Sequence, residues 1–244
     1  MAPRARRQER ANGGGAEQLG LREFVERYGR PYSEALGIDL ASREPGELAK
    51  WFLAAILYSK PIRESTATLT YQTFAEEGVL TPKNVVETGW EGLVSLLDEG
   101  GYTRYDFSTA SKLLQVFGNL EKDYGGDLNR VHEVAEDGED LERRLRALGK
   151  GIGATTVSVF LRELRPFWPK AHPEPTPLVR MAMEDLGISD VQRFASGKGI
   201  DVVRLETALL RLGKDFLRRG SRLEVRVGPG RPTVKRRARS AARR

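Results

Sequence analysis

The sequence predicts an all-α fold, and three observations carry that prediction. Apolar residues recur at the spacing of one helix face through most of the chain, helix-start signatures punctuate it, and alternating polar and apolar runs are nearly absent. The one exception is a weak Leu223-Val225-Val227 alternation near the C-terminus. With 244 residues and a hydrophobic fraction of 39%, the chain has material for one large helical domain or for two packed lobes.

The elements follow in order. Leu19, Leu21, Phe24, Val25 and Tyr28 fit one face of a first helix. Pro45 suits a first helical position, where its missing N–H costs nothing, and Glu47 adds a carboxylate to the first turn. A strongly apolar helix then runs to about Tyr58. Residues 63–77 form the next, closed by Gly78. Thr81-Pro82, a cap followed by proline, opens a short helix through Val86. Further helices are expected at 90–98, 107–124, 138–148, 154–165, 177–187 and 202–219, with Thr176-Pro177 repeating the cap-plus-proline signature.

Composition narrows the chemistry. No cysteine is present, which excludes disulfides, thiolate nucleophiles, Cys-based zinc sites and Cys-ligated iron–sulfur clusters. Two histidines, His132 and His172, are too few for a multi-histidine metal site, and no cofactor is expected. No apolar run is long enough to span a membrane, and the basic N-terminus has no apolar segment behind it, so neither a membrane partner nor a secretory signal is expected. The predicted location is the cytosol, with access to the nucleoid or nucleus.

The net charge of +6 is unevenly placed. Residues 1–11 carry +3 and residues 218–244 carry +10, which leaves about −7 for the body between them. Residues 1–15, ending in Gly13-Gly14-Gly15, read as a disordered basic arm. Residues 221–244 read as a basic tail that loses order from Gly228-Pro229-Gly230 onward. Such tails serve solubility alone or make non-specific phosphate contacts whose strength falls with salt. If the body between 16 and 220 binds DNA, it does so through a local patch.

One segment suggests where. Leu141, Leu145 and Leu148 give an apolar face to a helix that ends at Gly149, and Val157, Phe160, Leu161 and Leu164 mark a second helix. Between them lies Gly149-Lys150-Gly151-Ile152-Gly153-Ala154-Thr155-Thr156. A bend this tight calls for glycine on both sides of Ile152, which plugs the gap between the helices. The amides after the bend stand at a helix N-terminus, where unpaired N–H groups and the helix dipole favour a phosphate oxygen. These contacts hold a duplex without reading its sequence. An ordinary tight helix–helix turn would have the same glycines.

The stretch resembles the hairpin of the helix-hairpin-helix DNA glycosylase superfamily, especially its endonuclease III-like branch. Phe52-Leu-Ala-Ala-Ile-Leu-Tyr-Ser59 resembles that family's early buried helix. Gly101-Tyr102, Ser108-Thr-Ala-Ser-Lys112-Leu-Leu and Tyr124-Gly125-Gly126 resemble its upstream helix and turn, and Thr176-Pro-Leu-Val-Arg180 the helix after its catalytic loop. The likeness spans 46–188, with 16–36 and 189–219 as a second lobe. It implies a two-lobed fold, double-stranded DNA as partner and base-excision repair as the setting. The implied contacts are Leu148 through Thr156, together with Lys60 and, beside it, Pro61, which stands where the family often places a glutamine that wedges into the duplex.

The chain departs from the family at its chemistry. The catalytic aspartate position is Pro175, and the lysine of bifunctional members is Thr155, which cannot form a Schiff base. Phe216 through Arg222 hold none of the iron–sulfur cysteines. Adjacent Glu174 is the candidate carboxylate if the loop shifts by one residue; otherwise it is an exposed loop glutamate. Lys150 and Lys170 are alternative amines, His172 a solvated loop residue, and Trp51 and Trp168 packing residues. Three functions remain open: a divergent glycosylase acting through Glu174 on a flipped base, a non-catalytic DNA-binding or lesion-sensing protein, and an interaction module of a larger repair complex.

Overall fold

A computed structural model describes residues 18–221 and 223–228. Those residues form twelve α-helices, and the all-α class holds. The expected basic arm and the tail from 229 onward lie outside the described residues.

The helix expected from the first apolar face is shorter than its periodicity suggests. Leu19 belongs to a strand, β1 (Gln18–Gly20), which pairs in parallel with β2 (Glu224–Arg226), Leu19 opposite Val225. Leu223 and Val225 are buried, so the tail begins later than residue 221. α1 (Leu21–Tyr28) ends at Gly29, and a four-residue helix, α2 (Tyr32–Ala35), follows Pro31. Gly29 is required by packing: a Cβ there would lie 2.3 Å from the Val25 carbonyl oxygen and 2.6 Å from that of Arg204.

α3 (Pro45–Tyr58) begins at its proline, and every residue from Trp51 to Leu57 is buried, so this helix is the axis of the core. α4 (Glu64–Glu76) and α5 (Pro82–Glu99) follow. The Thr81 hydroxyl caps α5 by accepting the Asn84 amide at 3.1 Å, and non-helical Gly89 breaks the helix where the sequence separates two. α6 (Asp106–Tyr124), α7 (Leu128–Val134), α8 (Gly138–Ala147) and α9 (Ala154–Leu164) complete one set of mutually packed helices around α3. α10 (Pro177–Leu186), α11 (Val191–Lys198) and α12 (Val202–Arg211) pack with α1 as another. α12 continues as one turn of π-helix, Leu212–Phe216, and one of 3-10 helix, Leu217–Arg219.

Where the C-terminal end of α9 meets α2 and α12, the interior is charged. Arg162, Glu163 and Glu206 are fully buried, and Arg165 nearly so. The Glu163 carboxylate accepts the amides of Tyr32 at 3.0 Å and Ser33 at 2.9 Å, satisfying the uncapped first turn of α2. Arg165 Nη2 lies 3.1 Å from Glu206 Oε2. Burial nonetheless pushes the Glu206 carboxyl up, against the pull of Arg165 and Arg162. The network is balanced in charge but not fully bonded, since Arg162 Nε and Nη1 and both Glu206 oxygens have no hydrogen-bond partner.

Candidate nucleic-acid interface

The hairpin joins α8 to α9 and is braced from beneath by α6. The Asn119 amide donates to the Leu148 carbonyl at 2.8 Å, and Gln115 Oε1 accepts the Lys150 amide at 2.8 Å. A turn bond runs from the Ile152 amide to the Gly149 carbonyl at 3.2 Å. Leu148 and Ile152 are buried, so Ile152 plugs the bend as expected, and neither side chain is free to touch a ligand.

Each glycine has its own reason. Gly149 is packed so closely that a Cβ would meet Val116 Cγ2 at 2.5 Å. Gly151 has φ of +88°, which side-chain-bearing residues rarely adopt. Gly153 has an ordinary extended backbone, and a Cβ there would find nothing within 4 Å. The expected steric need for glycine therefore holds at Gly151 and fails at Gly153. Open space is what glycine provides at that second position.

α9 starts without a side-chain cap, and its first helical hydrogen bond is the one from the Val157 amide to the Gly153 carbonyl. Ala154 and Thr155 are exposed beside it. Thr156 is turned inward and donates to Ser59 Oγ at 2.9 Å, tying the hairpin to the end of α3. That bond brings the segment after α3 against the hairpin. Pro61 is exposed there, and the Lys60 ammonium lies 5.2 Å from the Tyr105 ring, which also carries the Arg104 guanidinium at 5.5 Å.

The residue that the sequence reading left without a role is Lys112. It occupies the buried stripe of α6 with Thr109, Leu113 and Val116, only 7% exposed, and its tip lies under Gly151. Burial, with Lys60 as the second cause, lowers its amine from 10.5 to about 8. A lysine at a core position of an amphipathic helix is the signal that would have found it. Among the described residues, no carboxylate forms an ion pair with Lys60, Lys112 or Lys150.

The loop after α9 gives a different result for chemistry. Ser158 Oγ donates to the Glu174 carbonyl at 2.9 Å and Arg165 Nη2 to the Pro173 carbonyl at 2.8 Å, so the loop is pinned. The Glu174 side chain is 85% exposed and 3.5 Å from the Arg180 guanidinium. Glu174 is thus a solvated, ion-paired loop residue, because its fixed main chain directs the carboxylate outward. Thr176 opens α10, but its hydroxyl bonds to nothing and caps nothing.

Lys170 is structural, its ammonium donating to the carbonyls of His132 at 2.8 Å and Ala135 at 2.6 Å. Lys150 and His172 are exposed, and Trp51 and Trp168 are buried packing residues as expected. Among the described residues, no cluster of three His, Cys, Asp or Glu side chains is arranged to hold a metal ion. No helix there is long and apolar enough to cross a membrane. No family model, no curated protein and no solved structure matches this chain.

Proposed function

We propose that this chain binds double-stranded DNA through the 149–156 hairpin, as a non-catalytic, lesion-sensing relative of the two-lobed helix-hairpin-helix repair glycosylases. The observation that carries the reading is the open, uncapped N-terminus of α9, with Gly153 facing empty space and unneutralised lysines on either side. Free amides, a helix dipole and cations in one place are what a phosphate group requires. Excision is the weaker reading. The position that would assist base departure is a proline, and the neighbouring carboxylate is spent on Arg180 in solvent.

Gly153→Val is the incisive variant, because its backbone angles suit any residue and its added methyls meet no protein atom. Melting temperature should stay near wild type while affinity for an undamaged duplex, read by fluorescence anisotropy, falls roughly tenfold. Unchanged affinity would remove the hairpin from the interface. In single-turnover assays on a panel of damaged duplexes, the wild-type chain should release no base. Release abolished by Glu174→Gln would restore the enzyme reading.

A further inference from the structure

Lys60 and Lys112 form an arrangement that the folded protein does not explain by itself. An ammonium loses hydration when buried, and Lys112 is more than nine-tenths buried. A long cationic side chain in that position ordinarily snorkels toward water or toward a carboxylate. The Lys112 stem is enclosed while its amine, which is not among the fully enclosed unpartnered atoms, keeps contact with solvent beside Lys60, and among the described residues no acid pairs with either. Both desolvation and like-charge repulsion oppose this placement in the free protein.

Gly151 covers Lys112 only with backbone: a Cβ at 151 would stand 2.9 Å from Lys112 Cε and 3.4 Å from its Nζ. Lys60 is held from its other side by the face of Tyr105, a contact that orients an ammonium without neutralising it. The Thr156–Ser59 hydrogen bond fixes the distance between the hairpin and the segment carrying Lys60.

We propose that Lys60 and Lys112 together form a dedicated oxyanion seat that receives one phosphodiester group of bound duplex DNA beside Gly151. The proposal rests on the DNA-binding reading and adds a phosphate contact that the hairpin amides do not make. One phosphate offers separate oxygens to the two amines, so a single group relieves both the repulsion and the missing counter-charge. The free protein carries the strain, and the complex releases it. Function at this site therefore opposes stability.

The full chain and its Lys112→Met and Lys60→Met variants decide the matter. Lys112→Met, apolar and of similar length, should melt higher than wild type yet bind an undamaged duplex roughly tenfold more weakly, the loss of one charged hydrogen-bonded contact. Its slope of log affinity against log salt should shrink by part of one phosphate's share of about 0.9, the whole of which the two lysines hold together. Lys60→Met should give the same loss in affinity and slope. Inorganic phosphate, exchanged for chloride at constant ionic strength, should raise the melting temperature of wild type and not of Lys112→Met.

A folded Lys112→Met chain with wild-type affinity and salt slope overturns the proposal while leaving the hairpin reading intact. So does a phosphate response equal in both proteins. A wild-type chain that ignores the duplex even at low salt removes the DNA-binding reading, and the ligand proposed here with it.

Discussion

The two ends of α9 handle buried charge in opposite ways. At its C-terminal end, two arginines and two glutamates share the interior, and Glu163 spends its carboxylate on the amides of α2. Near its N-terminal end, the Lys112 residue is nearly as deeply buried, but its charged neighbour is another lysine, Lys60. The first arrangement is self-contained, and its charges are neutralised within the fold. The second has no counter-charge among the described residues, and the proposed phosphate would supply it.

The largest expected effect tests the self-contained end. Glu163→Ala removes the acceptor of two amides and leaves Arg162 buried without its neighbour, so unfolding free energy in urea should fall by about 3–5 kcal/mol. A loss under about 1 kcal/mol would show that the charges there are not a unit. The next effect distinguishes the ends by pH. Lys112 takes up its proton at about 8 in the folded chain and near 10.5 when unfolded, so between those values the unfolded chain holds more protons. Stability attributable to this group should therefore rise from pH 8 to 10.5, with Lys60 as the facing charge. The wild-type minus Lys112→Met difference in unfolding free energy should show that rise, and a flat difference would mean the amine is not strained. The smallest effect concerns the loop between them. Glu174→Gln, altering a solvated side chain, should change stability by less than about 0.5 kcal/mol and leave duplex affinity unaltered. A clear fall in affinity would return this carboxylate to the interface.

How much of this was legible in the sequence depends on how local each cause is. α3, α8 and α9 announce themselves through proline, glycine and apolar spacing within a few residues, and their limits fall close to expectation. Leu19 has the spacing of α1 but is claimed by Val225, a partner far beyond any sequence window. α7 and α11 are short and carry few buried residues, too few to set up a visible period. At the hairpin, the bend at Gly151 was readable because its backbone angle demands glycine. An exposed Glu174 was one of the two readings its loop allowed, and Ser158 and Arg165 holding the loop's carbonyls give it its cause. Lys112 drew no separate reading, because a lysine's type does not mark it as a core position and only the packing of α6 against the hairpin does.

The pairing of β1 with β2 has a consequence for how the molecule is made. Gln18 and Glu224 stand 206 residues apart, and the Gln18 amide nitrogen donates to the Glu224 carboxylate at 2.6 Å. On the ribosome, the first strand must wait for those intervening residues to emerge before its partner exists. Closing so long a loop is entropically costly for two three-residue strands. This clasp should be the last part to fasten during synthesis and the first to open under mild denaturant.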